Sequence, residues 1–164
     1  MDSSTEPLLQ QGESAGHKKV AKLVEPSFGT KPAFVNAEVV KQIETAPDYR
    51  NEYTRRKILK TDFKYPLIQV EETIRKDGAT GTEKIVRRTE MVADHVMVRL
   101  QPGVSEMELA AMAAKYGGSI RKKMYAPRMY LVELSQPDID SVERAIQLFK
   151  HESEVVALAE PDYI

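Results

Sequence analysis

Cysteine and tryptophan are both absent from the chain. The first absence is the more restrictive: it removes disulfide staples, thiolate zinc sites, thiol nucleophiles and CxxC redox pairs. Aromatic residues are sparse at 7%, and hydrophobic residues make up 41% of 164 positions. That supports one core with extensions, not a core along the whole length. No apolar run approaches the roughly 20 residues that a membrane helix needs. An excess of charge is lacking too, since 24 Lys and Arg stand against 25 Asp and Glu for a net of −1. No global field therefore points to nucleic acid or to an anionic membrane surface. The opening stretch MDSSTEPLLQQGESAGHKK has no basic leader followed by an apolar segment, so no secretory signal is expected within it.

What is present changes character along the chain. Residues 1–35 mix Ser, Gly, Pro, Glu, Lys and Gln without helical or strand period, which predicts a disordered arm. Residues 36–64 are expected to be helical. Asn36 is a reasonable N-cap, Val39, Val40 and Ile43 share a helical face, and Tyr49–Leu59 reads as a second helical piece after Pro47. Arg55, Arg56 and Lys57 in that piece invite a nucleic-acid or dibasic-cleavage reading, but a solvated helix face is the preferred one. Residues 65–92 read as a β-hairpin: Leu67–Val70 and Ile85–Val86 flank Asp77-Gly78-Ala79-Thr80-Gly81.

Residues 93–164 have the clearest pattern. Val96, Val98 and Leu100 alternate with His95, Met97 and Arg99 in a half-buried strand that Pro102-Gly103 ends. Ser105 and Glu108 form a capping box ahead of a helix with Leu109, Met112, Ala113 and Tyr116 on one face, and Gly117-Gly118 stops it. Strands are predicted over Ser119–Met124, Met129–Leu134 and Val155–Ala159. A helix with the stripe Ile139, Val142, Ile146 and Phe149 lies between the last two. The order is βαββαβ. The expected fold is α+β: a ferredoxin-like antiparallel sheet with two helices on one face, preceded by the hairpin and the arm.

Catalysis is not expected. His17, His95 and His151 have no Ser or Asp at a suggestive spacing, Ser105 and Ser141 read as helix-start residues, and no metal or cofactor is called for. An RNA-recognition motif would need an aromatic-rich third strand, and Met129–Leu134 offers one aromatic. Recognition of a protein is what remains. If Val96, Val98, Leu100, Tyr130, Val132 and Leu134 face the helices, then Met97, Met129 and Leu131 point to the opposite face, with Tyr125 beside them. Such a methionine-bearing patch suits a partner, unless the N-terminal hairpin or helix covers it. Glu160 and Asp162 stand one residue apart where the last strand is expected to end.

The stretch HVMVRLQPGVSEMELAAMAAKYGGSI, then MYLVEL, then VERAIQLFKHESEVVALAEPDY resembles the propeptide of subtilisin-like serine proteases, in the variant of fervidolysin-like proenzymes. The resemblance covers residues 93–164. It implies a non-catalytic intramolecular chaperone and inhibitor whose partner is a subtilisin-like protease domain, in cis and downstream of Ile164. The sheet face with Met97, Tyr125, Met129 and Leu131 would pack on two surface helices of that enzyme. Glu160 and Asp162 would cap the helices' N-termini, with Tyr163 and Ile164 leading toward the cleft. Helix N-termini expose unpaired N–H groups and partial positive charge, which suits carboxylates. The family's pattern places another residue where Pro161 stands, and the chain stops before the residues that would fill the cleft, as expected of a prodomain excised from a longer precursor. A secreted or periplasmic location would follow for such a precursor. The alternative is a stand-alone adaptor or regulatory module on the same fold.

Overall fold

The structure is a computed structural model, and it describes residues 37–164. The arm expected over residues 1–35 lies outside the described residues. Nine elements follow in order: β1 (Glu38–Glu44), β2 (Glu52–Lys60), β3 (Leu67–Lys76), β4 (Glu83–Leu100), α1 (Glu106–Lys115), β5 (Gly118–Lys123), β6 (Met129–Leu134), α2 (Ser141–His151) and β7 (Val156–Tyr163).

The expected ferredoxin-like βαββαβ unit with a separate hairpin ahead of it is not the architecture. A single curled antiparallel sheet of seven strands takes its place, in the order β1-β2-β3-β4-β6-β5, with β7 on β4. The reason is β4, whose 18 residues run without a break from the hairpin into the C-terminal half. Its first part pairs with β3 (Ile68↔Val92 to Lys76↔Glu83) and its second with β6 (His95↔Glu133 to Arg99↔Met129). Because Val96 to Arg99 pair with both β6 and β7, these two strands occupy opposite edges of β4.

The helices expected over residues 36–64 are also overturned, because that segment forms β1 and β2. Val39, Val40, Ile43, Thr54 and Ile58 are β-branched and favour a pleated backbone. The cluster Arg55-Arg56-Lys57 is therefore not one helix face; strand alternation divides it. Arg56 meets Glu71 and Glu143 at 2.9 Å each, whereas Arg55 meets Glu44 at 2.7 Å. Lys57 is buried, 3.3 Å from Glu72. Register explains the selection. Arg55, Glu72 and Arg88 lie directly opposite one another across β2, β3 and β4, and Arg88 reaches Glu72 at 2.6 Å and Glu90 at 3.0 Å. Charges of alternating sign in adjacent strands attract, and inside the protein that attraction is little screened.

Local signals in the C-terminal half produce the expected elements. Ser105 accepts from the Glu108 N–H, and the Ser105 N–H donates to Glu108 at 2.7 Å, which completes the capping box. Gly117 takes φ +79° just past α1, where a side chain would be strained. Gly118 starts β5 so close to β6 that a Cβ would sit 3.0 Å from the Glu133 carbonyl oxygen. The main core joins Leu109, Met112 and Ala113 of α1 to Val142, Ala145, Ile146 and Phe149 of α2. Met91, Val96, Val98, Leu100, Tyr130, Val132, Val156 and Ala159 of the sheet complete it. A second cluster holds Val39, Leu59, Ile68, Val70 and Val92, with Phe63, Tyr65 and Ile164 packed against it.

Two predictions come from these contacts. Glu72→Ala removes a buried carboxylate that Lys57 and Arg88 both engage, and should cost roughly 3 kcal/mol in urea unfolding. The exposed Glu143→Gln should change stability by less than about 1 kcal/mol. Equal effects would show that the buried ladder is not what holds β2, β3 and β4 in register.

The second concerns acid. The Ser105 N–H holds the Glu108 carboxyl below its usual range. Its folded value is lowered, so its contribution is present above about pH 4.5 and is lost as pH falls. Amide exchange in α1 should accelerate below that pH, and Glu108→Gln should make the acceleration disappear.

Candidate functional site

Strand β7 runs four residues further than its expected end at Ala159. Glu160 and Asp162 are therefore not in a tail beyond the strand. They lie within it, one side chain apart on the same face, with Pro161 between them. Pro161 has no N–H to donate, which a strand tolerates at an edge or a bulge. It sits opposite Val96, where the pairing of β4 with β7 shifts register between Met91 and Val96.

That irregularity reverses the alternation of β4. Met91 and Val96 both join the helix-side core, whereas Val92 belongs to the other cluster. The intervening stretch leaves Asp94 and His95 without regular partners on the β7 side, although His95 still pairs with Glu133 of β6, and a polar network surrounds them. His95 is fully buried. Its Nε2 lies 2.7 Å from an Asp162 oxygen and its Nδ1 2.7 Å from the Arg121 guanidinium. A guanidinium only donates, so Nδ1 must accept and Nε2 carries the proton that is donated to Asp162. Arg121 also donates to both Asp94 oxygens, at 2.9 and 3.1 Å, and to Glu133 at 2.7 Å. The hydrogen bond to Asp94 is the main reason the Arg121 guanidinium is pushed further toward its charged form. The ring of Tyr65, from the β2–β3 connection, meets the His95 ring edge-on at 4.7 Å and lies under the Arg121 guanidinium at 5.2 Å.

The network thus ties β4, β5, β6 and β7 to the β2–β3 connection. Three carboxylates surround one guanidinium and one neutral imidazole, which leaves the end of β7 with negative character. Nothing in the arrangement prepares a nucleophile, and the buried imidazole is sealed from solvent. It is built to hold and to present charge. Among the described residues no group of three or more His, Asp or Glu side chains is placed to hold a metal ion.

The residues singled out from sequence occupy distinct situations. Asp162 is engaged by His95 and is 24% exposed. Glu160 is half-buried, lies opposite Met97 in the ladder, and makes no ion pair among the described residues. Tyr163 is exposed, whereas Ile164 packs against the second core cluster and donates its N–H to the Glu90 carbonyl at 3.1 Å. Met97 pairs with Leu131, and Arg99 with Met129. Met97 is half-buried, but Leu131 and Met129 are only 2% and 7% exposed, so neither offers free apolar surface. Tyr125, in the β5–β6 turn, is wholly exposed. Sequence reasoning missed His95, Arg121, Asp94, Glu133 and Tyr65. His95 and Asp162 are 67 positions apart, and no local spacing announces their meeting.

The network makes the two carboxylates unequal. Asp162→Ala leaves the buried Nε2–H of His95 without its acceptor and should destabilise the protein by about 1–3 kcal/mol. Asp162→Asn, which keeps an accepting oxygen, should be milder, and Glu160→Ala should be nearly neutral. Thermal and urea unfolding of the three variants measure this. Equal stability of Asp162→Ala and Glu160→Ala would refute the clamp.

Compared with known proteins, the sequence matches the family described as the fervidolysin N-terminal prodomain over residues 78–162, just over half of the chain. The match opens at Gly78, in the β3–β4 turn, and so takes in the whole of β4 along with everything up to Asp162. No curated protein and no solved structure matches significantly. The chain belongs to the fervidolysin N-terminal prodomain family, and it is a protease prodomain.

Proposed function

We propose that this prodomain is the intramolecular chaperone and inhibitor of a subtilisin-like serine protease domain in the same precursor, and that it docks through the end of β7. The observation that carries the reading is the state of Glu160. It is half-exposed and without an ion pair of its own among the described residues, beside a carboxylate that His95 already fixes. Glu133, 47% exposed, and Asp94 extend the negative character across β6 and β4. A partner offering helix N-termini would find unpaired N–H groups matched by a carboxylate held in a strand, where little side-chain and backbone freedom is left to lose. Met97 opposite Glu160 and exposed Tyr163 supply apolar contact next to the charge. Tyr125 supplies a further aromatic at the β5–β6 turn. Met129 and Leu131, being buried, support the face from beneath.

Inhibition and refolding of the precursor's protease domain test this. The chain should inhibit the isolated protease domain and raise the yield of active enzyme when that domain is refolded from denaturant. A carboxylate at a helix N-terminus contributes about 0.3–2 kcal/mol, so Glu160→Ala should raise the inhibition constant roughly 2- to 30-fold with the fold intact. Tyr163→Ala should weaken inhibition as well. Unchanged constants for both variants would remove the β7 end from the interface. Absence of any inhibition or refolding assistance would leave a stand-alone adaptor as the better reading.

A further inference from the structure

At the far end of the sheet from the β7 network, the β1–β2 and β3–β4 turns stand side by side and form an open cleft of about 610 Å³. Asp48, Tyr49, Arg50 and Asn51 line it from one turn, and Arg75, Lys76, Asp77, Gly78, Thr82 and Lys84 from the other side. We propose that this cleft is a binding site for a small polyanion of phosphate chemistry, carrying two or more negative charges.

Charge is the first argument. Four basic side chains line the cleft against two aspartates, and both aspartates are spent on the turns themselves. Asp48 accepts from the N–H groups of Arg50 and Glu52 at 2.8 and 3.0 Å, and the Glu52 N–H is the main cause of its lowered pKa. Asp77 accepts from the N–H groups of Ala79 and Thr80 at 2.8 and 3.2 Å. Of the four cations, Arg75 is bound to Glu52. Arg50, Lys76 and Lys84 are exposed and have no carboxylate partner among the described residues. Lys84 stands directly opposite Arg75 in the ladder, and since Glu52 already engages Arg75, Lys84 is the cation of that pair left for a ligand.

Rigidity is the second argument. Asn51, held at φ +63°, accepts the Lys76 N–H on its carbonyl at 2.9 Å and donates its side-chain amide to the Lys76 carbonyl at 3.0 Å. That pair of bonds locks the two turns together, so the backbone that carries the cations is fixed before any ligand arrives and binding has only their side chains to order. Size and rim fit the same class. The volume lies within the range of small-molecule sites. Tyr49, with the Arg50 guanidinium 5.3 Å from its ring centre, offers a flat aromatic surface at the mouth.

Titration of the intact chain with tripolyphosphate, followed by backbone NMR and calorimetry, tests the site. Amide shifts should concentrate in residues 48–51 and 76–84, and binding should weaken as salt rises. The double variant Lys76→Gln/Lys84→Gln should lower affinity at least about tenfold, while Lys122→Gln/Lys123→Gln, with the same loss of charge on exposed β5 lysines, should change it less than about twofold. Shifts scattered over the whole surface, or equal losses from the two double variants, would overturn the proposal. So would tighter binding of a glutamate-rich peptide than of tripolyphosphate, which would assign the cations to a protein partner. None of these measurements involves a protease, so their outcome is independent of the docking proposed at β7.

Discussion

A strand of 18 residues that must be hydrogen-bonded on both edges, and whose side chains must suit three different neighbours, is the constraint on which this fold rests. β4 is that strand. It meets β3 along its first part and both β6 and β7 along its second. Strict alternation over such a length would commit all even-numbered residues to one face. The sheet requires otherwise: Val92 is needed in the cluster with Ile68 and Val70, whereas Met91, Val96 and Val98 are needed under the helices. An irregularity must intervene, and the register shift between Met91 and Val96 supplies it. The stretch that absorbs the change of face carries polar side chains and has no regular pairing with β7. Asp94 and His95 fill it, and Arg121, Asp162 and Tyr65 close around them. The polar network and the shared strand are thus one feature.

The sheet beyond this point is held by charge to an unusual degree for a small protein. Arg55, Glu72 and Arg88 form a row across three strands, and Lys57 lies buried beside Glu72. Buried ion pairs seldom add much net stability, because desolvation opposes the attraction. Their selectivity is greater. A slip of one residue between β2 and β3 would move every charge to the opposite face, where the apolar Ile58 belongs to a cluster with Ala93 and Ile139. The apolar residues Leu59, Ile68 and Val70, buried in the same strands, oppose such a slip too. The row of opposite charges acts together with them.

The parts of this structure legible in the sequence are those with local causes. The capping box at Ser105 and Glu108, the stop at Gly117, strand β6 and Val142, Ile146 and Phe149 of the second helix's stripe are each complete within a dozen residues and occur as read, whereas Ile139 of that stripe precedes α2 and packs with Ile58 and Ala93. What escaped has non-local causes. Val39, Val40 and Ile43 fit a helical face as well as a strand, and only pairing with β2 decides between them. The continuity of β4 was hidden because Ala93–His95 breaks the alternation on either side, which imitates a domain boundary. It was that apparent boundary that made a free-standing ferredoxin-like unit look sufficient. β7 runs past the apolar stretch that ends at Ala159 because at this register shift the missing N–H of Pro161 is tolerated. The pair Glu160 and Asp162 stood out from the start. Their unequal roles did not, since the residue that distinguishes them, His95, is remote in sequence and near only through the fold.

That inequality bears on how such a surface can be ready before its partner is. Two carboxylates side by side in a strand repel each other, and both would be free to turn away into solvent. Binding Asp162 to the buried His95 removes one of them from that competition and anchors the end of β7 at a point where Pro161 weakens the ladder. Glu160 is then displayed on a strand whose far end cannot peel off without breaking the His95–Asp162 bond as well. On the proposed docking mode, the entropy of fixing that strand has been met within the prodomain's own folding. The encounter with a helix N-terminus has only to desolvate a single, half-buried carboxylate. On that same docking mode, the charge offered to the protease domain is in position before the two meet.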